Sequence, residues 1–167
     1  MDKKKTLTVV GCVAALCAVG VLVTPVLKKH NENFPDAFND VVLGERVKNF
    51  ATTDSAPEPG DGEGLFVLPG WVPEDATDIK IKVQTTGNAK LIRFTLAGTG
   101  TPLELTGEGA CHEGAFIDGP ELEASWWPED VGEGSGRPDC SEQYQLRVAV
   151  EGDDVYAWSN GDLAKAG

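Results

Sequence analysis

The sequence predicts a mainly β protein with minor α content: an N-terminal transmembrane helix followed by a small exported domain built on an antiparallel sheet. Three observations predict it. Residues 6–27 are an unbroken uncharged and mostly apolar run, preceded by Lys3, Lys4 and Lys5 and followed by Lys28 and Lys29. Beyond residue 65, apolar residues recur at every second position in several separate segments. Gly-, Asn- and Asp-bearing turns short enough for hairpins join those segments.

As a helix, the 6–27 run reaches about 33 Å, against a hydrocarbon core of about 30 Å. A cleaved signal peptide and a lipoprotein signal compete with an uncleaved anchor. The best small-x-small triplet, Ala18-Val19-Gly20, leaves Val21-Leu22-Val23 exposed at a new terminus. A lipid-bearing Cys12 would follow only six uncharged residues, with the apolar run continuing past it. Length therefore favours the anchor, spanning residues 1–30 with its flanks. Three lysines and an amino terminus against Lys28 and Lys29 predict a cytoplasmic N-terminus and an extracytoplasmic C-terminal part. Cys12 and Cys17 fit small packing residues within the run, with palmitoylation as the alternative.

Residues 31–64 read as a juxtamembrane short helix and an acidic linker. Phe34, Ala37, Phe38, Val41 and Val42 fall at helical spacing, with Pro35 and Asp36 suited to a helix start, so a helix is expected over 36–48. Thr52–Gly64 is rich in Pro, Gly, Asp and Glu and reads as a flexible spacer. Its GDGEG run lacks the ligand spacing of a calcium loop.

The β-rich domain is expected over 65–160, with a tail at 161–167. Leu65–Leu68 is a short apolar run ending at Pro69, and Pro69–Pro73 is a constrained turn around Trp71. Ile79, Ile81 and Val83 alternate with Lys80, Lys82 and Gln84, which predicts a half-buried strand. Thr86-Gly87-Asn88 turns it into a partner strand carrying Ile92, Phe94 and Leu96. Short strands are expected at Pro102–Thr106 and Leu122–Trp127. Tyr144, Leu146, Val148 and Val150 alternate with Gln145, Arg147 and Glu151, and Gly152-Asp153-Asp154 leads to Val155–Trp158. The expected sheet has one apolar face.

The whole chain carries a net charge of −13; residues 1–30 hold five of its 14 basic and one of its 27 acidic residues, so 31–167 carries −17. Such a surface excludes nucleic acid and anionic lipid headgroups as partners by charge attraction. The acids are scattered and fit a solvated surface. Cys111 and Cys140, outside the cytoplasm, fit a disulfide within one chain or between chains. Within one chain it would close about 30 residues and stabilise by about 3 kcal/mol. A redox or metal-binding thiol pair is the alternative, without CxxC spacing to support it.

No catalytic residue, metal ligand or cofactor site emerges. His112 is the one histidine of the domain proper and neighbours Cys111, and no HExxH, GxSxG or phosphate loop occurs. Trp71, Trp126, Trp127 and Trp158 are candidate ligand contacts that could stack a sugar or peptide, or form the bulk of a thin core. Adjacent strand residues point to opposite faces, so Trp126 and Trp127 are not expected in one core.

Leu68, Pro69, Trp71, Pro73, Ala76 and Ile79 in LPGWVPEDATDIKIKV, Trp126-Trp127-Pro128 in PELEASWWPEDV, the later Cys140 and Trp158 in VYAWS form a combination. Over about 65–159 it resembles a family of uncharacterised actinobacterial membrane proteins with one N-terminal helix and a small exported domain. The resemblance implies export, anchoring and a non-enzymatic role, and no activity. The expected function is a membrane-anchored extracytoplasmic module that binds or senses a component of the bacterial envelope, an envelope protein or a glycan. The alternatives are a carboxylate-dependent envelope enzyme near the tryptophans, a calcium-stabilised domain, and a secreted domain released by signal cleavage.

Overall fold

A computed structural model of the protein describes residues 23–98, 103, 118–132, 137–139 and 144–162. It contains a 6-stranded sheet in the order β1-β2-β3-β6-β5-β4. The strands are β1 (Glu45–Thr52), β2 (Thr77–Gln84), β3 (Ala89–Thr95), β4 (Arg137–Asp139), β5 (Leu146–Glu151) and β6 (Asp154–Asn160). All neighbouring pairs are antiparallel.

The two expected hairpins form. Ile81 sits opposite Ile92 across β2 and β3, and Val148 opposite Ala157 across β5 and β6. Gly152, at φ +64°, supplies the left-handed backbone that the second turn needs. Alternation decides the register: Ile79, Ile81, Val83, Ile92, Phe94, Val148, Val155 and Ala157 all reach one face and are buried there.

That face is covered by the 53–76 connection between β1 and β2. Phe66 is buried on it, and Leu68, Trp71 and Val72 pack alongside. The apolar run at Leu65–Leu68 is not a strand: a single 3-10 turn at Gly64–Phe66 drops Phe66 onto the sheet.

The second face is covered as well, against the expectation of a single apolar face. Ala89, Leu91, Ala149, Tyr156 and Trp158 form a second core with Leu122, Ala124 and Val131. The residues expected as a strand at Leu122–Trp127 are an irregular crossing segment instead. They lie over this face, so their backbone makes turns rather than a ladder: the Trp127 N–H donates to the Ala124 carbonyl at 3.2 Å.

The folded unit begins upstream of residue 65. The helix expected over 36–48 is one α turn at Asp36–Phe38 continuing into a π turn at Asn39–Leu43. Gly44 at φ +66° ends it, and its N–H donates to the Asn39 carbonyl at 2.7 Å. The chain then enters β1, which pairs with β2 from Glu45 opposite Gln84 to Thr52 opposite Thr77. The end of the expected helix and the residues up to the spacer thus supply the edge strand of the sheet. The outer strand's long charged side chains are paired, Arg46 with Asp40 and Lys48 with Glu63.

Residues 23–29 are helical, and no helix among the described residues is long and apolar enough to cross a membrane. Most of the 6–27 run lies outside the described residues, as do the strand expected at Pro102–Thr106 except Leu103, Cys12, Cys17, Cys111, His112 and Cys140.

Gly44→Ala is expected to destabilise the fold by about 1 kcal/mol, because a Cβ in the left-handed region costs about that much. Thermal unfolding followed by tryptophan fluorescence should show a midpoint lower by about 4–8 °C. Gly70→Ala, where an added Cβ meets nothing within 4 Å, should leave the midpoint within the error of the measurement.

Candidate functional site

Antiparallel pairing gives the sheet two ends. Glu45, Gln84, Ala89 and Asn160 stand at one, because Glu45 is opposite Gln84 and Ala89 opposite Asn160. Thr52, Thr77, Thr95, Asp154 and Glu151 stand at the other. Eight-residue strands put about 25 Å between them.

The larger cleft, about 620 Å³, opens at the Glu45 end. The 64–70 segment covers the first face down to its last apolar rows, which are buried beneath it, and the cleft lies between the two. Val83 and Leu146 belong to those rows, and Leu65, Val67, Leu68 and Gly70 form the opposing wall. Gln84, Asn88, Lys90, Tyr144 and Ser159 supply the polar atoms around it. The Lys90 ammonium donates to the Val67 carbonyl at 3.2 Å and so links floor to wall. Concave, mainly apolar linings with a few placed polar groups are what small-molecule sites share.

A smaller cleft of about 490 Å³ lies at the same end, lined by Thr24, Pro25, Lys28, Glu45, Glu121 and Glu123. At its base is a buried ion cluster. Lys82 is completely buried, with its Nζ 2.9 Å from Glu45 Oε2 and donating to the carbonyls of Lys28, at 2.6 Å, and Glu123. Glu45 Oε1 is 2.9 Å from the Lys28 ammonium. Asn31, also buried, donates to the Glu45 carbonyl at 3.3 Å, and Asn39 donates to the carbonyls of Asn31 and Phe34 at 3.0 and 3.1 Å. The Ser125 N–H donates to the Lys29 carbonyl at 2.8 Å. Residues 28–31 are thereby fastened to the second face of the sheet.

Lys82 was expected on the solvent side of a half-buried strand. Its alternation with the apolar residues is as expected, but the covering segment turns the polar face into an interior. Gln145 and Arg147 are buried there for the same reason. Arg147 donates to both carboxylate oxygens of Asp162, at 2.9 and 3.1 Å. Burial pushes the Lys82 ammonium below its usual value of 10.5, and the hydrogen bond to Glu45 opposes that.

The four tryptophans do not form one platform, and none lines either cleft. Trp71 is on the first face, 6.0 Å from the Phe94 ring centroid. Trp126, Trp127 and Trp158 are on the second. Trp158 is fully buried, and its Nε1 donates to the Asp118 carbonyl at 2.9 Å, so it is core rather than a surface contact. Trp127 meets Trp126, Tyr156 and Trp158 edge-on at 5.9, 5.3 and 5.9 Å. Trp126 and Trp127 share one core because their segment is irregular, so strand alternation does not separate them.

Among the described residues, no group of three or more His, Cys, Asp or Glu side chains is placed to hold a metal ion. The cleft residues carried little signal in the sequence. Leu65–Leu68 read as an apolar run before the turn at Pro69–Pro73, but the gap between that run and the sheet depends on how the layers meet. No family model, curated protein or solved structure matches the chain.

Lys82→Met is expected to cost about 3–5 kcal/mol, because it leaves Glu45 and two carbonyls without their buried cation. Lys82→Met with Glu45→Leu should recover most of that loss in chemical denaturation, since Lys28 is partly exposed and can return to water. A lysine whose folded pKa is below its unfolded one binds fewer protons folded than unfolded between the two values. Stability therefore rises with pH across the interval that ends near 10.5, and the difference between wild type and Lys82→Met should rise in the same interval.

Proposed function

We propose that the chain is a membrane-anchored, extracytoplasmic binding module of the bacterial envelope, whose ligand enters the cleft between Leu65–Gly70 and the Val83–Leu146 end of the sheet. The single observation that carries the reading is that cleft: about 620 Å³, with apolar floor and wall and a polar rim. The 6–27 run and its lysine flanks support the anchor, and the exported location follows from the lysine bias. The motifs around Trp71 and Trp126 support kinship with anchored, exported proteins of the same plan.

The chemistry of the cleft favours binding over catalysis. Its rim offers amides, hydroxyls and the Lys90 ammonium, and among the described residues no carboxylate lines it. The enzyme alternative draws on the smaller cleft, where Glu45, Glu121 and Glu123 gather. Both carboxylate oxygens of Glu45 are already engaged, one by the Lys28 ammonium and one by the buried Lys82 ammonium, so they are not offered to a substrate. An apolar ligand also suits the cleft better than a glycan, since sugars stack on exposed aromatic faces and no tryptophan lines this site.

Titration with hexanoate, a soluble probe with an apolar tail and a carboxylate, tests the site in the full chain held in lipid nanodiscs. Methyl resonances of Leu65, Leu68, Val83 and Leu146 should shift together, and Gly70→Trp should reduce the affinity at least tenfold by filling the cleft. Unmoved cleft methyls, with indole signals of Trp126 or Trp127 shifting on addition of a chitin trisaccharide, would replace this site with an aromatic glycan site.

A further inference from the structure

We infer that the Glu45 end of the sheet lies against the lipid bilayer and that the cleft takes the acyl chain of a membrane lipid. The inference rests on the anchored, cleft-binding reading above and names its ligand class.

Two independent features point to it. Among the described residues, six large hydrophobic side chains are exposed: Val23, Val26, Val41, Val42, Leu65 and Val150. Five of them belong to the Glu45 end. Val23 and Val26 are on the helical stretch that runs out of the apolar 6–27 segment. Val41, 85% exposed, and Val42, 57% exposed, are on the turn that Asn39 fastens to Asn31. Leu65 is on the cleft wall. Only Val150 is elsewhere, paired with Val155 toward the far end. Exposed apolar side chains gathered at one place mark a surface that another apolar phase covers, and here the chain itself leads from that place into its longest apolar run.

The second feature is the absence of slack. The carbonyls of Lys28 and Lys29 accept hydrogen bonds from Lys82 and Ser125, so no spacer separates the end of the 6–27 run from the sheet. A helix leaving the bilayer at residue 27 brings the Glu45 end to the headgroups. Glu32 and Asp40 at this end are engaged by Ser125 and Arg46, and Glu45 by Lys28 and Lys82. Exposed acids stand at both ends, Glu121 and Glu123 near Lys28 and Glu74, Asp75, Glu151 and Asp153 at the far end, so a zwitterionic lipid surface fits the near end better than an anionic one. The cleft opens at the near end, within reach of lipid tails, and its apolar floor and wall offer a chain the environment it would leave.

The full chain is reconstituted into liposomes containing a phosphatidylcholine with a diazirine in its acyl chain, floated, irradiated and mapped by peptide mass spectrometry. Cross-links are expected at Val41 or Val42 and at cleft residues such as Leu65, Leu68 and Val83, besides those in 6–27. Gly70→Trp should lower the cleft cross-links at least tenfold and leave those in 6–27 unchanged. A chain that floats but cross-links only within 6–27 overturns the inference, and if hexanoate still binds, the cleft serves a soluble ligand. A chain that does not float with the liposomes overturns the anchored reading and the inference with it.

Discussion

The buried ammonium of Lys82 organises this molecule. Three stretches remote in sequence converge on it: the Lys28 carbonyl, the Glu45 carboxylate and the Glu123 carbonyl. A lysine taken out of water is costly unless each of its donors is met. The fold meets that cost by bringing the N-terminal segment, the edge strand and the crossing segment of the second face to one point. The crossing segment also docks through Leu122, Ala124 and Val131, whereas the N-terminal segment is held by polar contacts of Lys28, Lys29 and Asn31. The cation is the point at which the three are joined to one another.

The sheet is consequently the middle of three layers. One cover, 53–76, is fixed by apolar burial, with Phe66 and Trp71 over Ile81, Ile92 and Phe94. The other is fixed by a mixture. Lys82, Leu91, Trp158 and Arg147 occupy consecutive strands in one row, each opposite the next. Apolar residues hold the centre of that row and charges its flanks, with Glu45 answering Lys82 and Asp162 answering Arg147. The long stems of the lysine and arginine extend the core sideways from the tryptophan. An irregular segment can lie on such a surface because the Trp127 and Trp158 indoles and the Asn160 amide satisfy carbonyls that no ladder would.

The hairpins were legible because period-two alternation and a Gly-bearing turn coincide in β2–β3 and β5–β6. Strand β1 was not. Phe34, Phe38, Val41 and Val42 give a helical spacing that extrapolates through 48, while ERVKNFAT holds few apolar residues, as edge strands do. Gly44 was the visible signal, since a left-handed glycine after a helical turn marks a stop. Alternation told which face Lys82, Gln145 and Arg147 occupy, but not that another segment would cover it. The same limit hid the cleft, which is a property of how far the 64–70 segment reaches along the sheet. For the tryptophans, the thin-core reading describes Trp158, and the neighbouring pair at 126 and 127 misled because alternation holds only in strands.

Among the described residues no strand pairs with the outer side of β1, where Asn31 meets only the Glu45 carbonyl. Such an edge is a template on which another extended chain can grow. Arg46 and Lys48 stand on this strand in ion pairs with Asp40 and Glu63, and the Lys48 ammonium also lies 5.1 Å above the Phe66 ring centroid. A strand approaching edge-on would have to displace both pairs and strip water from four charges before gaining its first ladder bonds. The side chains that close the cover over the first face thereby also act as gatekeepers, opposing runaway sheet growth when many copies crowd together in the same orientation.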